Sequence, residues 1–477
     1  MTPLELILTR FEQLSAVPRG TKNEAGLRQW LIEWARGRGL DFRVDSVGNL
    51  VIYVPASAGY EGQPALILQG HLDMVCQKTP DSPHDFMRDP IRILRDGDWL
   101  IADRTTLGAD NGIAIALMMA IAEDADLAHP PLELLLTVEE EVSGVGADEL
   151  DPSNLTGKTL LNLDSETEGE FTVGAAGGGS VYIHLPVTWS TPPSAGAALC
   201  LRVDGLQGGH SGGDIHKNRA NANKLLARAL EELGRTLPIR LVEVKGGSAR
   251  NAIPREAQAL FVCGADDAIR CRSLVADFER VLRSEYSATE SGLALTLEAA
   301  DLPTRAMSAD ETRAAVLLLC ALPNGVAEMF AEIPGFVETS NNIGIVETRA
   351  DEVFIISNHR SAVFTRLEAI NRQVEALAHL AGARTERTKM FTPWQANLES
   401  PLLKKALSAY EQCFGGQAKV ELTHGGLECG TISERCGGLD TLSCGPTIQN
   451  PHSPDERMYV PSVQRVWDFL AALLAMR

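Results

Sequence analysis

The sequence predicts an α/β protein, with a mostly parallel central sheet flanked by helices and a second, α+β domain inserted into it. Three observations carry this expectation. Over the first 180 or so residues, short apolar runs alternate with longer runs of helical period, as in a parallel sheet covered by helices. From about residue 181 the strands become alternating and half-exposed, which suits an antiparallel sheet. From about residue 391 the first texture returns. The boundaries so drawn are 1–181 and 391–477 for a discontinuous first domain and 182–390 for the insertion.

Each element follows from its own pattern. In MTPLELILTRFEQLS, residues Leu4, Ile7, Leu8, Phe11 and Leu14 recur at helical spacing, and no basic stretch precedes them, so an amphipathic helix is expected rather than a secretion signal. LRQWLIEWARGRG and GIAIALMMAIAEDADL are helices by period and length; NLVIYVP, PALILQG, PLELLLTV and KTLLNLD are strands by composition. The glycine cluster GAAGGGS, Gly174 to Gly179, interrupts the pattern. Beyond it, SVYIHLPVTWS, AALCLRVDGL, QALFVCG and LALTLEA read as strands, interleaved with helices such as NANKLLARALEELGRTL and SLVADFERVLRSEYS. The segment Phe391 to Trp394 marks the return point, followed by the helix SPLLKKALSAYEQCFG, short strands at AKVEL and TLSCGP, and a final helix SVQRVWDFLAALLAM.

Bulk properties exclude several functions. With 43 basic and 63 acidic side chains the formal charge is −20, which argues against binding nucleic acid or an anionic membrane through a broad basic surface. No uninterrupted run of about 18 apolar residues is present, so no transmembrane helix is expected. Nine cysteines, odd in number and scattered without a CxxC pair, suit a reducing compartment and a cytoplasmic protein.

The chemistry lies where the apolar runs stop. ALILQG leads into His71-Leu72-Asp73, LELLLTV into Glu139-Glu140-Glu141, TLLNL into Asp164, and TLSCGPTIQNP into His452. Asp110 lies in TTLGADNG, where a turn opens a helical stretch. Carboxylates and imidazoles avoid apolar interiors unless paired or metal-bound, and ligands of open α/β sheets bind beyond the carboxyl ends of the strands. His71 and Asp73, two apart on one strand end, share a face, so His71 reads as a ligand and Asp73 as the carboxylate that orients it. Asp110 either offers both oxygens to metal or simply caps its helix. Three adjacent glutamates repel one another unless a cation stabilises at least one; one would bind metal while its neighbour takes a proton from water, the plain alternative being a solvated acidic turn. Asp164 and His452 have ordinary alternatives as a turn residue and a hydrogen-bonded histidine. Mixed imidazole and carboxylate ligands suit zinc, or cobalt or manganese.

Nine segments carry a more specific resemblance: FEQLSAVPRGTKNE, LQGHLDMVCQK, TTLGADNGIAIA, TVEEEVSGVGA, LNLDSETEGE, GGHSGGDIHKNRANANK, ETSNNIGIV, HGGLECG and GPTIQNPHSPDER. Together they resemble the M20 metallopeptidase family, and within it the aminoacyl-histidine dipeptidase branch. The resemblance implies a zinc-peptidase-like catalytic domain with an inserted lid and dimerisation domain. It implies two zinc ions, replaceable by cobalt or manganese, bridged by Asp110 and a water. His71 and Asp164 would complete one metal site, Glu141 and His452 the other. Glu140 would be general base and then acid, with Asp73 orienting His71. In the insertion, His210 would stabilise the tetrahedral oxyanion. Arg360 and Asn251 are candidates to hold the substrate's terminal carboxylate, an anion that arginine's fork suits. Glu428 is a candidate for the substrate's α-ammonium. Cys429 beside it has no paired base and does not read as a nucleophile.

The resulting expectation is a metal-dependent dipeptidase of small peptides, Xaa-His dipeptides among them, forming a homodimer through its lid. Two rivals remain at this point. One is an N-acyl amino acid deacylase or tripeptidase of the same fold, and the other a catalytically silent dimeric peptide-binding protein.

Overall fold

The computed structural model describes residues 1–192, 195–331 and 333–476. It divides the chain into two compact units, one of residues 1–175, 394–422 and 427–477, the other of residues 176–393 and 423–426.

The first unit holds an eight-stranded sheet in the order Asp41–Val44, Leu50–Val54, Leu132–Thr137, Leu66–His71, Thr159–Asn162, Asp440–Ser443, Glu170–Ala175 and Lys419–Thr423. The four strands from Leu132–Thr137 to Asp440–Ser443 are parallel. Antiparallel strands flank them: Leu50–Val54 on one side, Glu170–Ala175 on the other. Leu66–His71 and Leu132–Thr137 are buried along their whole length, which is why they read as unbroken apolar runs. Because the central strands are parallel, their carboxyl ends open at one edge, and residues 71, 138 to 141 and 163 to 164 follow from that edge together.

The helix Ala109–Glu123 is buried at Ala109 and from Asn111 through Ile121, apolar on every side as a helix inside a core should be. The first helix, Pro3–Ser15, starts with a capping box between Thr2 and Glu5 and buries Ile7, Phe11 and Leu14, as its period predicts. A small four-stranded antiparallel sheet (Ile448–Gln449, Arg457–Tyr459, Trp99–Ala102, Ile93–Asp96) has no strong sequence signal, because its strands are two to four residues long.

The second unit is built on a nine-stranded antiparallel sheet. Its helices include Ala222–Thr236, capped by Asn221, and Ala309–Ala321, opened by a capping box of Ser308 and Glu311. Leu225, Leu226, Leu230, Phe261, Val316 and Ile355 are among the core residues of this unit.

The glycine cluster is strand rather than an interruption: Glu170–Ala175 ends in it and Gly177–Pro186 begins in it. Glycine is required there by close backbone approach. A Cβ on Gly177 would lie 2.4 Å from both Phe391 O and Pro393 N, and one on Gly174 would lie 3.0 Å from Trp394 O. The cuts between units consequently fall at 175/176 and 393/394, and residues 423–426 join the second unit. Among the described residues, no helix is long and apolar enough to cross a membrane.

Candidate metal centre

At the carboxyl edge of the parallel strands, Asp110 stands between two imidazoles. Its Oδ1 is 3.0 Å from His71 Nε2 and its Oδ2 is 3.0 Å from His452 Nε2. His71 is the last residue of its strand, with Asp164 Oδ1 3.4 Å and Glu140 Oε2 4.0 Å from the same Nε2. His452 reaches Glu141 Oε2 at 3.0 Å. The sequence-expected residues His71, Asp110, Glu140, Glu141, Asp164 and His452 therefore meet at one place in the first unit.

Local backbone explains how. Asp110 carries non-helical dihedrals although it lies in the first turn of the helix, and its carboxylate faces the two histidines instead of capping. Gly108 before it has φ +70°, a conformation that favours glycine. Glu139 and His452 both adopt left-handed φ, +53° and +59°, which is costly for such residues and marks turns held by their surroundings. Glu139 turns away to accept from Ser143 Oγ at 2.9 Å, so only Glu140 and Glu141 of the three glutamates face the centre.

Asp73 lies against His71, whose Nδ1 is 3.1 Å from the Asp73 backbone O. The carboxylate is fully buried, with Oδ1 3.4 Å from His71 Nδ1. It also accepts the backbone N–H of Glu140 at 3.0 Å and of Glu141 at 3.3 Å, and the hydroxyl of Thr21 at 2.8 Å. Asn111 accepts from His71 N–H and donates to Leu163 O, joining two strand ends.

These residues fit a divalent cation. One donor atom each from His71, Asp110 and Glu141 lies within 4.8 Å of the others. Glu141 Oε1 is buried without a hydrogen-bond partner. Burial and the repulsion of Asp110 and Glu141 raise Asp164 to about 6, with His71 opposing. Burial likewise pushes Glu140 well above the usual carboxylate range, with Asp164, Glu428 and Glu141 adding to it. For Asp110, burial is outweighed by the hydrogen bonds of His452 and His71, which hold it below the ordinary value. A cation would satisfy the orphaned oxygen and relieve the excess of negative charge, and the mixed imidazole–carboxylate set suits zinc, cobalt or manganese.

Glu428 is buried in the first unit, where its Oε2 accepts from Thr137 Oγ1 at 2.5 Å and Gln69 Nε2 at 2.8 Å. Its Oε1 is buried with no hydrogen-bond partner, and burial raises the group to about 8. Cys429 is buried and its thiol is pushed far up by that burial, so it offers no thiolate.

The second unit holds its own group of polar residues. His210 sits on a two-residue strand paired with Ala252–Ile253, and Asn251, exposed, precedes that partner. His210 Nδ1 accepts from the backbone N–H of Gly212 and Gly213 at 3.3 and 3.0 Å. Arg360 donates through Nη1 to His424 O at 3.2 Å, its Nε is buried without a partner, and it makes no ion pair among the described residues. His424 is drawn down to about 3 by burial and by Arg360, and its Nε2 meets Ser340 Oγ at 2.7 Å.

Sequence reasoning did not find His424, although it heads the HGGLECG segment, nor Glu166, which burial and the neighbouring Asp110 and Asp164 raise to about 8. It also assigned nothing to Arg19, Thr21, Glu24 or Glu456. Of these, Glu24 accepts the N–H of Glu139 at 3.2 Å.

Residues 202–290 match the peptidase dimerisation domain of the M20 peptidases. The chain is 39% identical over 464 residues to the cytosol non-specific dipeptidase of Escherichia coli (strain K12), covering 97% of this chain and 96% of that one. The crystal structure of aminoacylhistidine dipeptidase from Vibrio alginolyticus superposes with a TM-score of 0.91 at 37% identity, covering 98% and 96% of the two chains. Aminopeptidase PepT from Bacillus cereus shares the fold alone, at a TM-score of 0.56 and 18% identity over 99% and 98% of the chains. With this identity extending over nearly its whole length, the chain belongs to the M20 metallopeptidase family.

Proposed function

We propose that this protein is a metal-dependent dipeptidase that hydrolyses short peptides, Xaa-His dipeptides among them. The observation that carries the reading is Asp110, whose two oxygens each stand 3.0 Å from a different imidazole, with Glu140 beside them. Dipeptidase action is supported by the names of the Escherichia coli and Vibrio alginolyticus relatives.

Two zinc ions, with cobalt or manganese as substitutes, would be held by His71 and Asp164, by Glu141 and His452, and by Asp110 between them. Cations bound there supply Lewis acidity toward a carbonyl oxygen and lower the pKa of water. Glu140 takes the proton from the attacking water and returns it to the leaving amine. Burial raises Glu140 above the ordinary carboxylate range, which favours its holding the proton it takes. Asp73 keeps His71 oriented and holds the Glu140 and Glu141 backbone in place. The unpartnered Oε1 of Glu428 receives the substrate's α-ammonium. His210 would stabilise the oxyanion, and Arg360 and Asn251 would take the substrate's terminal carboxylate. Arg360 makes no ion pair among the described residues and its Nε is buried without a partner, which supports that role.

The dimerisation-domain match supports a homodimer formed through the second unit, which would also serve as lid. A cytoplasmic location is supported by the cytosolic relative and by nine cysteines that are all free.

The test is hydrolysis by zinc-, cobalt- or manganese-loaded protein of a panel holding Xaa-His, β-alanyl-histidine, other dipeptides, a tripeptide and an N-acetyl amino acid. Metal-dependent dipeptide cleavage, abolished in Glu140→Ala, is expected. Cleavage of the acetylated compound alone would overturn the reading in favour of a deacylase.

A further inference from the structure

Three segments bring Asp110 and its two histidines together, and two buried charges tie those segments to one another. Arg19 is 2% exposed, and its Nη1 donates to Leu72 O at 3.1 Å and Asp73 O at 2.9 Å, the two residues after His71. Its Nη2 donates to Gly108 O, two residues before Asp110. Glu456, also 2% exposed, lies four residues after His452. Its Oε2 accepts from Leu107 N at 2.8 Å and Gly108 N at 3.0 Å, and its Oε1 from Ala109 N at 2.8 Å and Asp110 N at 3.3 Å. The turn at 107–110 is thus gripped on its N–H groups by an anion and on a carbonyl by a cation.

Room for this grip is built into the chain. A Cβ on Gly108 would lie 2.7 Å from Arg19 Nη2, and one on Gly112 would lie 2.6 Å from the same atom. Taking an arginine and a glutamate out of water is expensive, and well-packed apolar residues would often serve stability as well. What apolar residues cannot do is fix backbone carbonyls and N–H groups at set distances.

We propose that Arg19 and Glu456 are positioning residues, which hold the segments bearing His71, Asp110 and His452 in register so that the cation's donors are spaced before it binds. Arg19 joins the His71 turn to the Asp110 turn, and Glu456 joins the His452 loop to the same turn. The inference rests on the metal-centre reading above and extends it to two residues outside the ligand set.

Glu133 provides a matched control. It is 3% exposed and accepts from Thr156 N, Thr156 Oγ1 and Gly157 N, but lies near the amino end of Leu132–Thr137, the end opposite the centre. The experiment measures zinc affinity by competition with a chromogenic chelator, the absorption spectrum of the cobalt-loaded form, and Tm, in wild type, Glu456→Gln, Arg19→Lys and Glu133→Gln. All three variants are expected to lower Tm. Zinc affinity should fall about 10- to 100-fold in Glu456→Gln and Arg19→Lys, as when partners that orient a ligand are removed, with an altered cobalt spectrum, and stay at the wild-type value in Glu133→Gln. Should Glu456→Gln not fold, the milder Arg19→Lys decides. Wild-type affinity in the two site variants, or an equal loss in Glu133→Gln, would assign Arg19 and Glu456 to stability alone. A wild-type protein that binds no zinc, cobalt or manganese would remove the metal reading and this inference with it.

Discussion

Replacing Asp73 with asparagine separates two roles that one carboxylate holds. In Asp73→Asn, one oxygen stays to accept the Glu140 N–H, and the amide nitrogen takes the place of Oδ2. That nitrogen faces Thr21 Oγ1, which can turn to accept, and the Glu141 N–H, which cannot. A buried N–H left without an acceptor costs about 1–3 kcal/mol, and loss of charge from the bonds to Glu140 N and His71 adds about 1 kcal/mol. The sum, about 3 kcal/mol, corresponds to roughly 100-fold. It divides between the His71 ring and the turn that carries Glu140. The assay is zinc affinity by chelator competition, followed by kcat on a dipeptide at saturating zinc. Affinity should fall about 10- to 100-fold. If Asp73 acted only on His71, excess zinc would restore kcat fully. Because it also holds the backbone of Glu140, kcat should stay depressed about tenfold or more at saturation, since a misplaced base loses proton-transfer efficiency. Values within threefold of wild type in both measurements would refute the reasoning.

Further outcomes follow from the same geometry. Glu140→Gln should bind zinc as wild type does, yet lose about 10²- to 10⁴-fold in kcat, checked by metal analysis beside steady-state kinetics. Glu428→Gln should raise KM for free dipeptides far more than for N-acetylated ones, because only the former carry the ammonium that Oε1 would meet. Arg360→Met should likewise act on KM for peptides with a free carboxylate and leave peptide amides unaffected. Stability should also fall in acid. His359 is fully buried between Asn371 Oδ1 and Ser357 Oγ, and burial lowers it to about 4, with Arg387 lowering and Glu375 raising it. The folded value lies below the unfolded one, so the contribution is complete above about pH 6.5 and is lost as pH falls toward 4, at about 1.4 kcal/mol per pH unit. Denaturant melts between pH 4 and 7 should show this slope in wild type and a shallower one in His359→Gln.

Most of the candidate centre was legible because its side chains sit where apolar runs stop. His71 ends a buried strand, and Glu140, Glu141 and Asp164 come within a few residues after one, where a carboxylate or imidazole breaks the hydrophobic pattern. Asp110 and His452 were visible through the glycine- and proline-marked turns around them. The small sheet that presents His452 was not, because strands of two to four residues carry too little period to register. The glycine cluster is opaque for a related reason: glycine marks a break in the chain and a close backbone approach with the same letter, and only the neighbouring chain at 391–394 tells them apart.

Arg19 and Glu456 show the deeper limit. A glutamate in a loop such as NPHSPDER ordinarily faces water, and nothing beside it in sequence says otherwise. Its partners are four backbone N–H groups 346 to 349 residues away. Every residue but proline carries such a group, so the chain's letters do not record which are used. A ligand announces itself by being the wrong residue type for its surroundings; a residue that holds the backbone beneath the ligand does so only once the fold has brought the two together. The arrangement around a reactive centre is therefore less readable than the centre itself, even where, as with the doubly anchored turn before Asp110, it sets the distances on which the chemistry depends.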